Sequence, residues 1–168
     1  MLSSSFFAFA WQSVWCLSAV PVLGWVLLRI ANLFFFRPTT LGVRKGRLAE
    51  CPDTPNCVCS QTDDLRHFIE PLQFRGTLQE TRHALERILS SLPRTRLISQ
   101  TENYLQLEFV SRVCGYVDDV EFLFVPEQRL IHIRSASRIG YSDLGANRRR
   151  IEAIRQTLGH ANSQCPVR

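Results

Sequence analysis

Between Val117 and Arg155 the chain reads VDDVEFLFVPEQRLIHIRSASRIGYSDLGANRRRIEAIR, and the side chains able to do chemistry are concentrated there. Asp119 and Glu121 alternate with the apolar Val120, Phe122 and Phe124, so both acids share one face of a strand. His132 and Arg134 alternate in the same way with Ile131 and Ile133 in the next segment. Neighbouring carboxylates can split their proton affinities, and an imidazole beside them completes an acid–base set. A hydrolase-like reaction using Asp119, Glu121 and His132 is therefore one reading. The other is a polar network of Asp118, Asp119, Glu121 and His132, in which cross-strand acids and arginines satisfy one another on a solvated face. If both apolar faces share a core, directly opposed residues have numbers with an odd sum, which sets Glu121 across from His132 or Arg134. Arg134 or Arg138 is then expected to meet Asp118, Asp119 or Glu121.

A second constellation suits anion recognition. Arg134, Arg138, Tyr141, Asp143, Asn147 and Arg148 gather near a helix start, where planar guanidinium donors and free backbone N–H groups can hold phosphate or carboxylate without chemistry. The same residues have structural uses. Asp143 or Ser142 can cap the helix, Asn147 can satisfy loop carbonyls, and Arg148 can pair with Asp118.

The cysteines leave several states open. Cys51 and Cys57 are close enough in CPDTPNC to bridge a small loop in an oxidising compartment, and in a reducing one they stay thiols. Cys51, Cys57 and Cys59 with His67 follow no usual zinc spacing, so no metal site is expected. Cys114 lacks a sequence neighbour that would mark it as a nucleophile. No cofactor is implied.

The elements that must position these groups follow from hydrophobic period. Segments 117–125 and 129–135 form a hairpin around Pro126, Glu127 and Gln128. Arg96 to Thr101 and Tyr104 to Val110 form another, with Leu105, Leu107 and Phe109 inward and Gln106 and Glu108 outward. Thr77 and Glu80 make a capping box for a helix carrying Leu78, Thr81, Leu85, Ile88, Leu89 and Leu92 on one side, which Pro93 ends. A final helix carries Leu144, Ile151, Ile154 and Leu158 on one face. A short strand or two is expected between Phe68 and Phe74. These elements predict a two-layer α+β domain, an antiparallel sheet of four or more strands with two amphipathic helices on one face.

The chain's 168 residues exceed such a domain, and the surplus is at the N-terminus. Phe6 to Leu28 holds no charged residue and is about long enough to cross a hydrocarbon core of ~30 Å. One N-terminal transmembrane helix is expected, dividing the chain into an anchor (1–36), a linker (37–50), the α+β domain (51–160) and a tail (161–168). Arg29, Arg37, Arg44, Lys45 and Arg47 follow the apolar run, which by the positive-inside bias favours a cytosolic domain of a single-pass protein, though cysteine usage pulls weakly the other way. This basic juxtamembrane cluster and Arg148 to Arg150 account for much of the net charge of +5 and suit anionic lipid head groups. No zinc-finger or RNA-binding signature accompanies them, so nucleic acid is not an expected partner. The resulting expectation is a membrane-anchored module for an anionic ligand, lipid head group or protein partner.

CPDTPNCVCSQ, the acid-and-His segment ending in PL, VDDVEF and RSASRIGYSDLGANRRRIE together resemble the domain of unknown function 1499 family, across roughly Leu41 to Leu158. The resemblance implies a membrane-associated or exported bacterial or plastid protein. It brings no established activity, substrate or catalytic residue. Cys59 stands where the family pattern usually has Ser.

Overall fold

The computed structural model describes residues 23–27, 30, 38–74 and 76–164. Its contacts divide the chain into two units, one of Met1–Phe36 with Val113–Gly115, the other of Arg37–Arg112 with Tyr116–Arg168. In the first unit residues 23–27 are helical. Most of the expected span from Phe6 to Leu28 lies outside the described residues. Among the described residues, no helix is long and apolar enough to cross a membrane.

The second unit is α+β. Its elements in order are β1 (Cys57–Cys59), β2 (Leu72–Gln73), α1 (Leu78–Ser91), β3 (Thr95–Thr101), β4 (Tyr104–Val110), β5 (Val117–Val125), β6 (Leu130–Ser137) and α2 (Ala146–Gln164). The strands form one six-stranded sheet in the order β1-β6-β5-β4-β3, with β2 also paired to β6. All these pairings are antiparallel.

Local chemistry accounts for the elements. Thr77 accepts from the Glu80 amide and the Glu80 carboxylate accepts from the Thr77 amide, so the expected capping box opens α1. The helix ends at Ser91, with Pro93 just beyond. Between β5 and β6 the chain makes a single 3-10 turn over Pro126–Gln128 and reverses at Arg129, which is left-handed at φ 55°. Glu121 lies opposite Arg134 and Phe122 opposite Ile133, as the odd-sum register requires.

Both helices cover one face of the sheet. Leu85 and Leu89 of α1 and Ile151, Ile154 and Leu158 of α2 share a core with Leu105, Leu107, Val120, Phe122, Phe124, Ile131 and Ile133. Leu144 departs from the expected helix face. It precedes α2, is left-handed at φ 52° and is 85% exposed.

The opposite face carries Glu108, Asp119, Glu121 and Arg134, with the half-buried His132, as the alternation predicts, but at the first four positions it is not solvated. All four side chains are buried. Residues 41–48, expected to run as a linker, instead lie against this face as a strap. The Gly42 amide donates to Glu121 Oε1 at 2.7 Å, and Leu48 packs with Tyr104 and Leu123. Arg44 and Arg47 pair across Lys45 and Gly46, both at positive φ (51° and 75°), the geometry of a tight two-residue hairpin turn.

Among the described residues, every member of the main apolar core lies between Val58 and Leu158. A fragment of residues 38–168 is therefore expected to unfold cooperatively in urea, with the sheet's circular dichroism intact before the transition. A fragment that aggregates without sheet signal would show that residues 1–37 are needed for the core.

Candidate functional site

The polar groups of the second face are ordered by register. Arg138, just past β6, donates through Nε to Asp119 Oδ2 at 2.8 Å and through Nη2 to Asp119 Oδ1 at 2.7 Å, while Nη2 also reaches Glu108 Oε1. Arg96 donates to the other Glu108 oxygen at 2.5 Å. Glu108 and Asp119 are directly opposed on β4 and β5. Two like charges facing across a ladder repel, and the fork of Arg138 turns that repulsion into a bridged pair. These carboxylates hold the Arg138 guanidinium well above its ordinary pKa, with burial opposing them.

Glu121 is 0% exposed. Its Oε1 accepts from the Tyr104 hydroxyl at 2.7 Å and from Gly42 N at 2.7 Å, and its Oε2 accepts from Arg134 Nη1 at 3.4 Å. Burial, and then the Glu121 charge, raise the Tyr104 hydroxyl far above its usual pKa, so it stays a donor. His132 does not contact Glu121. Its Nδ1 meets Ser60 Oγ at 3.1 Å, and that oxygen accepts from the Ile133 amide at 2.8 Å. Burial, with Arg47's charge second, lowers the imidazole's pKa.

On the helix side a second network holds the RSASRIGYSDLGAN loop. Asn147 is fully buried. Its Oδ1 accepts from Ser135 Oγ at 2.5 Å and Arg150 Nη1 at 2.7 Å, and its Nδ2 donates to Asn56 O at 3.0 Å and Ser137 Oγ at 3.1 Å. Asn56 Nδ2 in turn donates to Gly140 O at 2.6 Å. Asp118 pairs with Arg150 at 2.5 Å rather than with Arg148, because one helical turn from Asn147 brings residue 150 back toward the sheet. Arg150 also lies over the Phe109 ring, 4.7 Å from its centroid. Asp143 accepts from Gly145 N at 2.9 Å and Asn147 N at 2.7 Å and so caps α2.

The six candidate ligand residues therefore separate. Arg138, Asp143 and Asn147 are occupied by internal partners, and Arg134 lies under the strap beside Glu121. Tyr141 and Arg148 lie at the surface, where Arg148 donates to Arg66 O at 3.2 Å. Cys51 and Cys57 are joined by a disulfide, with Cα atoms 5.7 Å apart. Cys59 is a buried free thiol, and burial pushes its pKa up. Among the described residues no group of His, Cys, Asp and Glu could hold a metal ion.

Sequence reasoning missed Asn56, Ser60 and Arg150. The helical period relates Arg150 to Asn147 and could have found it. Asn56 accepts locally from Thr54 Oγ1 at 2.8 Å, but the network partners of Asn56 and Ser60 lie more than 70 residues away and leave no local signal.

A family model described as "Protein of unknown function (DUF1499)" matches residues 47–158. The chain belongs to this family. The DUF1499 match starts at Arg47 in the strap, whose guanidinium donates to Gln61 O at 2.5 Å, and ends at Leu158, the last core residue of α2. It thus takes in the side-chain groups of both networks and the Cys51–Cys57 bridge, while the Gly42 donor to Glu121 lies just before it. No curated protein matches the chain.

Two outcomes test this site. Arg138→Lys keeps the charge but loses the fork, leaving buried carboxylate oxygens unpaired, so urea unfolding should show a loss of about 1–3 kcal/mol. For His132 the sign follows from its lowered pKa. Below its ordinary value of 6.5 the unfolded chain takes up a proton that the folded imidazole resists. Its contribution is complete above that value and is lost as pH falls through the depressed folded pKa. His132→Gln should flatten the urea midpoint between about pH 7 and 5, where the parent declines.

Proposed function

We propose that this DUF1499 domain is a recognition module that docks on anionic membrane surfaces through the rim around the start of α2. Leu144 carries the reading. A branched residue at φ 52° costs about 1–2 kcal/mol relative to ordinary backbone, and Leu144 exposes 85% of its surface, so the fold gains no apolar burial from it.

Its surroundings have the composition of a bilayer interface. Leu65 is 86% and Tyr141 74% exposed, and the Arg148 bond to Arg66 O ties the turn carrying Leu65 to α2. Arg148 and Arg149 supply positive charge, each at about 1 kcal/mol near an anionic surface, while the Arg66 guanidinium is paired with Asp64 at 2.7 Å. Inserting a leucine side chain into an apolar phase returns about 1.5–3 kcal/mol. Asp143 already occupies the helix N-terminus, so anion recognition falls to the arginines.

The uncharged run from Phe6 to Leu28 supports anchorage in the same membrane. The Cys51–Cys57 bridge supports a domain on an oxidising side, against the bias of the basic residues that follow the run. The hydrolase-like alternative gains no support, because Asp119 and Glu121 already hold guanidinium, phenol and amide donors and His132 is turned to Ser60.

Leu144→Gly in fragment 38–168 separates docking from folding. Relief of the left-handed strain and the added flexibility of the unfolded chain offset each other, so stability should stay within about 1 kcal/mol of the parent. Co-sedimentation with phosphatidylglycerol vesicles should fall several-fold, and the parent should leave phosphatidylcholine vesicles unbound. Unchanged sedimentation of the variant, or equal binding to both lipids, would remove the basis of the proposal.

A further inference from the structure

One cross-strand row on the second face is incompletely satisfied. Gln106, Glu121 and Arg134 are directly opposed on β4, β5 and β6, and Gln106 and Arg134 are each 7% exposed. Neither the Gln106 Nε2 nor the Arg134 Nε finds a hydrogen-bond acceptor in the protein. The one hydrogen bond of the Arg134 side chain is the 3.4 Å contact from Nη1 to Glu121. Its neighbour Arg138 saturates two carboxylates from a comparably buried position. Cys59, opposite Arg134 on β1, supplies no counter-charge, since burial keeps its thiol protonated. A buried donor without an acceptor costs about 1–3 kcal/mol, more when it is charged.

We infer that the Gln106–Glu121–Arg134 row beneath the strap is a binding site for a small monocarboxylate. The Nε edge of a guanidinium presents two parallel N–H groups matched to a planar carboxylate, and the Gln106 amide adds a donor to the same row. The charge of the fully buried Glu121 opposes a dianion and limits the ligand to a single negative charge. Entry is under the strap, which closes the row through the Gly42–Glu121 hydrogen bond and the packing of Leu48 on Tyr104 and Leu123. Gly42 sits at φ 101°, a conformation open to glycine and strained for other residues. The site is distinct from the proposed docking rim and does not depend on it.

The full chain in detergent micelles, titrated with sodium acetate and separately with inorganic phosphate, tests the site through the arginine Nε and glutamine amide resonances. Saturable acetate binding is expected, with phosphate weaker. Arg134→Lys should weaken acetate by about tenfold or more through loss of the fork. Gln106→Leu should weaken it several-fold without lowering the urea midpoint, because that variant deletes a donor for which the fold has no acceptor. If Arg134→Lys does not fold, Gln106→Leu decides alone. No saturable acetate response in the parent, tighter binding of phosphate, or acetate binding unchanged in Gln106→Leu would overturn the proposal.

Discussion

Arg138 reaches across two strands to hold Asp119 and Glu108 in one fork, and the second face of the sheet is organised by that contact. Two buried carboxylates directly opposed on neighbouring strands would push the ladder apart in a medium of low dielectric. With the guanidinium between them, the strands instead close to ordinary pairing, and Arg96 shields the outer Glu108 oxygen. Because Arg138 follows β6 directly, and its own amide donates to Val117 O at 3.0 Å, the loop leaving the sheet is fixed in direction. That direction carries the chain to Asp143 and the start of α2, and so sets where the helix crosses the apolar face.

The central strands β4, β5 and β6 are therefore buried on both sides by different means, while the edge strand β3 is largely exposed. Apolar area and two helices close one side. Charge neutralisation and a short strap close the other, where each buried ion needs its partner in place. This division explains why Glu121, the most enclosed carboxylate, takes a backbone amide from residue 42 as well as a phenol and a guanidinium. The strap is short, and it fastens through few groups: the Gly42 amide, the Leu48 contacts, the Leu48 amide to Gln61 Oε1 at 2.8 Å, Gln61 Nε2 to Gly46 O at 3.5 Å, and Arg47 to Gln61 O. Segments held so sparsely sit at the low end of local stability.

Much of this was legible in the chain. Period-two alternation located β4, β5 and β6 and narrowed the partner of Glu121 to His132 or Arg134, of which the register takes Arg134, because parity leaves few choices once one face is apolar. The Thr77 and Glu80 spacing gave the start of α1, and the acid–arginine pairing on the second face followed from the same parity. What alternation could not give was depth. Asp119 and Glu121 read as surface residues because a strand pattern reports which side a residue faces and not what lies above it. Leu144 misled for a related reason: a leucine at helical spacing says nothing of whether the helix has begun, and here the Asp143 cap and Gly145 delay it to Ala146. Glycine and asparagine in the strap and the CPDTPNC loop signalled turns, but their tertiary partners left no trace in local sequence.

The asparagine stitch also bears on the order in which the molecule can assemble. Asn147 donates to a carbonyl 91 positions earlier, at Asn56, and β1 pairs with residues of β6. Both joints close large loops, whereas the two hairpins and α1 are local. In a chain emerging from its N-terminus, Cys51 and Cys57 are present long before β6 exists. In an oxidising compartment this six-residue separation lets the ring close on an external thiol oxidant before β6 arrives, so the loop can be delivered to its docking place already shaped, with less freedom left to lose when the distant edge of the sheet arrives.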